Sequence, residues 1–258
     1  FGFGVSAFMA IYLVDGVVLT CGLYYEYRAD ADTPRSWKFD ILLAKDMCRA
    51  AVPLTFTYIM IMVYLKIDQV LLKNIAGEHA LGLYSVAVKI SEVLYFIPTL
   101  LCASLFPAIV NAKSTNALMY QKRLTWLYAI LLVLAVLIAA PFSFGARYVI
   151  PFLFGVQYVL AIPIFQIYIW SVVPMFLITA VTQYLIAEDY TSIYLYSSAI
   201  GALSNTALNL ILIPRYGATG AAITTLISYS LVPLSLLLFK KTRTHLRATE
   251  AGAATYPV

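Results

Sequence analysis

The 258-residue chain is 62% hydrophobic and carries 17 basic against 12 acidic side chains, a formal net charge of +5, with a mean hydropathy of +0.88. Soluble proteins hold about a quarter of their residues as Asp, Glu, Lys and Arg, against 11% here, which excludes an ordinary cytosolic enzyme. The positive charge does not signal nucleic acid, because that partner needs a basic face on a folded soluble domain and the composition leaves no residues for one.

A bilayer-spanning helix takes roughly 20 mostly apolar residues, and about seven such runs are legible, which predicts an all-α polytopic transmembrane helical bundle. The first run, 1–25, is interrupted only by Asp15. It opens on Phe1 without a start Met or the charged n-region of a signal peptide, as expected of a piece of a longer protein. A polar stretch, 26–50, follows. Its second part, SWKFDILLAKDMCR, sets Lys38, Lys45 and Arg49 among apolar residues at helical intervals, which fits either an interfacial amphipathic helix or a solvated linker. The remaining spans are expected at 51–72, 81–110, 124–146, 161–187, 193–213 and 218–239, making a six-helix bundle over 51–239. RYVIPFLFGVQY, at 147–158, is expected as a short re-entrant or interfacial piece, and 240–258 forms a basic tail.

The basic residues orient these spans. With the tail inside, Arg28, Arg35, Lys38, Lys45, Arg49, Lys113, Lys122, Arg123, Lys240, Lys241, Arg243 and Arg247 lie on the cytoplasmic side, and only Lys73, Arg147 and Arg215 lie outside. Twelve against three predicts a cytoplasmic C-terminus and places Phe1 outside. No long loop is available to carry catalytic groups, so the chemistry is expected among the helices and the chain is expected not to be an enzyme.

Charges inside a span cost at least ~2.5–3.5 kcal/mol on insertion scales and normally face a partner or a wet cavity. Lys89 and Glu92, three apart, share a helical face about nine and twelve residues from the outer end, close to mid-depth at ~1.5 Å per residue. They read either as a pair lining a cavity for a charged substrate or coupling ion, or as a mutually neutralised structural pair. Lys66 and Asp68 point apart near the outer end of the 51–72 span, with Asp68 facing the bundle and Lys66 snorkelling to the interface. Asp15 either pairs with a basic residue elsewhere or lines the path. Arg49, at an inner mouth, anchors the helix or attracts anionic head groups. Asn205 and Asn209, one turn apart beyond Ser198 and Gly201, suit helix packing first and substrate contact second.

Other features argue for less. Pro53, Pro98, Pro163, Pro174 and Pro233 are expected to kink their helices. GATGAA at 217–222 fits the close packing of a short outer hairpin better than a phosphate-cradling turn, since no strand precedes it. Cys21, Cys48 and Cys102 read as small buried hydrophobes, and His79 and His245 share no metal-ligand spacing.

Four stretches together resemble the polysaccharide translocases, the O-antigen and related lipid-linked oligosaccharide flippases of the multidrug/oligosaccharidyl-lipid/polysaccharide exporter superfamily. They are KIDQVLLKNIAGEHALGLYSVAVKISEVLYFIP at 66–98, SLFPAIVNAK at 104–113, LFGVQY at 153–158 and NTALNLILIPRYGATGAAITTLIS at 205–228. The resemblance implies one bundle plus one extra helix of a two-bundle flippase fold, with 1–25 belonging to a missing N-terminal half and 26–50 as the cytoplasmic linker. It implies translocation of an undecaprenyl-diphosphate-linked oligosaccharide across a bacterial inner membrane, for O-antigen, lipopolysaccharide or other surface polysaccharide, by alternating access without covalent chemistry.

Lys89, with Arg49, would supply charge for the diphosphate. Asp68 and Glu92 occupy the family's IDQ-like and KISE-like positions. No cofactor is implied beyond a coupling ion, H+ or Na+. Partners would be the lipid-linked oligosaccharide, membrane lipids, the missing half, and polysaccharide polymerases or glycosyltransferases. The rival within transport is a cation-coupled multidrug exporter of the same superfamily, relying on Glu92 and Asp15. Outside transport the rivals are a membrane polymerase or glycosyltransferase acting on lipid-linked sugars, and a structural or regulatory membrane subunit.

Overall fold

The computed structural model describes residues 5–29, 39–188, 190–239 and 242. The polar segment 30–38 and the basic tail, apart from Thr242, therefore lie outside the described residues. Two units separate between Cys48 and Arg49. The first contains α1 (Val5–Ala29) and the opening turns of α2 (Ile41–Leu94). Asp40 starts α2 by accepting from the amides of Leu42 and Leu43 at 2.8 and 3.2 Å, which satisfies donors that a helix start leaves unpaired. Residues 41–49 are thus helical, not irregular linker. Cys21 and Cys48 are exposed and only Cys102 is buried, so two of the three cysteines are not the buried hydrophobes expected.

The second unit is built from α2 after Cys48, α3 (Phe96–Thr115), α4 (Ala117–Phe154), α5 (Ile162–Tyr168), α6 (Val172–Ala187) and α7 (Thr191–Ser235), with short 3-10 turns at Val156–Ala161 and Ile169–Ser171. All described secondary structure is helical, as a bilayer demands where lipid offers no partner to an open backbone. Four stretches are long and apolar enough to cross a membrane: Ile41–Ala112, Leu118–Phe154, Val156–Ala187 and Thr191–Ser235.

Three glycines fold these stretches into antiparallel hairpins. Gly77 (φ 86°), Gly155 (φ 94°) and Gly217 (φ 56°) hold backbone conformations that a Cβ disfavours. Cross-links centred on each glycine demonstrate the folding back. Asp68 and Tyr84 would lie ~24 Å apart on one straight helix, yet the tyrosine hydroxyl donates to the carboxylate. Around Gly155, Ser143 and Gln166 exchange reciprocal hydrogen bonds of 3.2 Å. Around Gly217, Asn205 Nδ2 donates to Ser228 Oγ at 2.9 Å. Six rods result among the described residues: 49–76, 78–115 with a bend at Tyr95, 117–154, 156–187, 191–216 and 218–235.

Opposite ends join differently. Asn116 caps α4 by accepting from Leu118 and Met119 at 3.0 and 3.1 Å, and the Tyr120 hydroxyl donates to Glu188 Oε1 at 2.8 Å. That bond ties the 116 connection to the 188–190 connection on the side away from the glycine turns.

Two expectations need correction. RYVIPFLFGVQY, expected as a re-entrant or interfacial piece, is not a separate segment: its first eight residues continue α4 to Phe154, and Gly155 turns the chain back. Nor do all five prolines kink a span. Pro163 and Pro174 sit in the first turns of α5 and α6, where a missing N–H leaves no helical bond unmade. Pro98, in the first turn of α3, does interrupt its rod: it removes the bond to the Leu94 carbonyl, which accounts for the break at Tyr95. GATGAA does serve as a hairpin turn: a Cβ at Gly220 would collide with the Leu212 carbonyl oxygen.

Candidate functional site

The α2 hairpin brings together the charges expected inside the membrane, in different pairs from those the sequence suggested. Lys66 Nζ lies 2.6 Å from Glu92 Oε1, and both side chains are about half exposed. Lys89 is exposed and forms no ion pair among the described residues. The Lys89–Glu92 pair is therefore overturned, because antiparallel packing offers Glu92 a nearer ammonium across the hairpin. The Lys66 rod continues to Ala76, so Lys66 lies 11 residues before the Gly77 turn, ~16 Å along the helix.

Lys66 projects into an open groove of about 570 Å³ along the 49–76 rod. Thr55, Tyr58, Ile59, Met62, Val63, Ile67 and Val70 line the rest of it. Their spacing of three and four residues keeps them on one helix face. This face is apolar except for one cation that a carboxylate holds in place.

Beneath the charged face lies a buried polar cluster. Asp68 is 1% exposed. Its Oδ2 accepts from Tyr84 and from Thr225 Oγ1, the latter at 3.4 Å, and Tyr84 and Thr225 hydroxyls lie 3.0 Å apart. The cluster joins three rods, since Asp68 is on 49–76, Tyr84 on 78–94 and Thr225 on 218–235. Tyr168 packs edge-on against Tyr84 at 5.4 Å and brings in a fourth. No basic side chain forms an ion pair with Asp68 among the described residues. Ser91, fully buried, has a hydroxyl with no hydrogen-bond partner among the described residues.

The remaining sequence candidates lie apart from this site. Asn205 and Asn209 are fully buried inside the α7 hairpin, where Asn209 Nδ2 donates to Asn205 Oδ1 at 2.8 Å and Asn205 donates onward to Ser228. They pack helices, as their first reading held. Arg49 is exposed at the start of the second unit, and Asp15 is exposed in the first. Sequence reasoning missed Tyr84, Thr225 and the partnership of Lys66. The available signal was Gly77: taken as a hairpin centre, it sets Asp68 opposite Tyr84 and Lys66 near Glu92.

The fold and these groups define an all-α polytopic helical bundle with charged residues set among its helices. Residues 1–113 match the family described as polysaccharide biosynthesis protein, a similarity that points to polysaccharide biosynthesis or export by a membrane protein. The matched segment contains Asp15, Arg49, Lys66, Asp68, Tyr84, Lys89 and Glu92, while Thr225 and the asparagine pair lie beyond it. No curated protein and no solved structure matches the chain.

Proposed function

We propose that this chain forms the substrate-facing bundle of a flippase that moves a lipid-linked oligosaccharide diphosphate across a bacterial inner membrane for surface polysaccharide assembly. The observation that carries the reading is the ion pair of Lys66 with Glu92, both about half exposed, with Lys66 on a groove that is otherwise apolar and Lys89, exposed, one helical turn before Glu92. An apolar wall suits a polyprenyl chain, and a net positive centre suits its diphosphate. Similarity of residues 1–113 to polysaccharide biosynthesis proteins supports the substrate class. The connections at 116 and 155 are too short to hold a catalytic loop, which favours transport over the polymerase or glycosyltransferase reading.

A cation-coupled drug exporter of the same superfamily would rely on acidic groups in a mostly apolar cavity. The pairing of Glu92 with Lys66 argues against it. Asp68, buried among hydroxyls and without an ion-pair partner, is the carboxylate at which a coupling cation, H+ or Na+, would act, since intramembrane carboxylates of this kind serve as proton and ion relays. In this reading the three glycine turns face the periplasm and the C-terminus lies in the cytoplasm. Replacing Lys89→Ala or Glu92→Ala in the protein as its cell makes it should reduce surface polysaccharide at unchanged membrane level of the variant. Normal surface polysaccharide at normal level would defeat the reading.

A further inference from the structure

The hairpin at Gly155 reaches farther from the Tyr120–Glu188 tie than the 191–216 rod does. From Tyr120, which is tied to Glu188, α4 runs 34 more residues to Phe154, ~51 Å at 1.5 Å per residue. The 191–216 rod, which starts beside the same connection, covers only ~38 Å. Val156–Ala161 makes its contacts with α4 and α5 only, apart from stray ones. The inner side of the tip joins the main core through Ala146 and Ile150, with Phe154 and Tyr158 in edge contact against it.

Its outer surface is apolar. Phe152 is 87% exposed, Phe144 80%, Val156 78% and Leu160 65%. Two aromatic rings of that kind present roughly 300 Å², and with the aliphatic neighbours the patch reaches the size that seldom faces water on a monomer. It continues an apolar stripe along α4 through Trp126, Ile130, Val133 and Leu137. Trp126 and Tyr148 stand 22 residues apart, ~33 Å, which matches a ~30 Å hydrocarbon core with one aromatic in each interfacial belt. Arg147 stacks over Tyr148, its guanidinium 4.9 Å from the ring centre, at the level of lipid phosphates. Phe152 then falls ~6 Å beyond the belt, within the headgroup layer.

We propose that residues 147–160 form a lipid-binding wedge seated in the headgroup layer on the side of the glycine turns. Phe152, Val156 and Leu160 reach the upper acyl chains of surrounding phospholipid, and Arg147 contacts the phosphates. The occupant of this apolar tip is lipid, because the patch is continuous with the lipid-facing stripe and begins where a cation meets the phosphate level. The inference rests on the membrane-spanning reading, and its test separates the two.

The experiment places a nitroxide label at Phe152→Cys, Val156→Cys and Leu137→Cys, one at a time. Cys21 and Cys48 are replaced by Ser and Cys102 by Ala, and the chain is reconstituted in vesicles of phosphatidylethanolamine and phosphatidylglycerol at 3:1. Collision with oxygen is compared with collision with a water-soluble nickel complex. The wedge predicts oxygen-dominated collision at 152 and 156, shallower than at 137. Nickel-dominated collision at 152 and 156 with oxygen-dominated collision at 137 would overturn the wedge and leave the membrane reading standing. Protection of 152 from both relaxants would also overturn it, by showing a protein contact. Nickel access at 137 would remove the membrane reading and the wedge together.

Discussion

Glu92→Gln separates a wet cavity from a lipid-facing surface by magnitude alone. The substitution removes the partner 2.6 Å from Lys66 Nζ while nearly keeping side-chain volume. Lys66 lies ~16 Å from the Gly77 turn, so an ammonium left unpaired there feels the full environment of the membrane centre. Facing lipid, it would cost ~2.5–3.5 kcal/mol on insertion scales. Facing a water-filled groove, the pair behaves as an exposed salt bridge, and its loss costs ~0.2–1 kcal/mol. The proposed function requires the second case. Reversible unfolding in mixed micelles of detergent and lipid measures the difference, with the charge-exchanged double variant Lys66→Glu, Glu92→Lys restoring stability because the pair is rebuilt. A loss of ~3 kcal/mol in the single variant would refute the wet groove.

Gly77→Ala and Gly217→Ala should each destabilise by ~1–3 kcal/mol from backbone strain alone, since nothing lies within 4 Å of a Cβ built at either position; Gly82→Ala, equally open but helical and without positive φ, should stabilise by ~0.5–1 kcal/mol in the same unfolding measurement. Across the α7 hairpin, a double-mutant cycle of Asn205→Ala with Ser228→Ala should show a coupling of ~0.6 kcal/mol, with ~1.7 as a ceiling. A coupling of zero would mean that the 2.9 Å bond does not hold the hairpin. A reporter active only in the periplasm, fused after Phe239, should stay silent, and activity there would reverse the orientation.

Helix content was legible because a bilayer leaves the backbone one solution, and the gaps between apolar runs held the turns at Gly77 and Gly217, whereas the turn at Gly155 was hidden in an apolar stretch. The charged site was legible only in part. Helical spacing puts Lys89 and Glu92 on one face, and that is correct, but a one-dimensional period cannot say that the facing rod offers Lys66. The polar pair Lys73 and Asn74 ended the expected span at 72, and the helix runs on to Ala76. Asp68 read correctly as facing the bundle. Its hydroxyl partners did not show, because Tyr84 sits in an apolar run and Thr225 lies 157 residues away. Asn205 and Asn209 show the converse, since a spacing that also suits a substrate path turned out to be spent on packing.

The central claim is that the groove beside Lys66 and Lys89 receives a diphosphate-linked lipid. Its most direct test is binding of a polyprenyl-diphosphate oligosaccharide to the protein, as its cell makes it, in lipid nanodiscs, with the corresponding polyprenyl alcohol as control. The native protein should prefer the diphosphate at least about tenfold, a difference of ~1.4 kcal/mol, and the double variant Lys66→Gln, Lys89→Gln should lose that preference while still binding the alcohol. Equal preference in the native protein and the double variant would contradict the account.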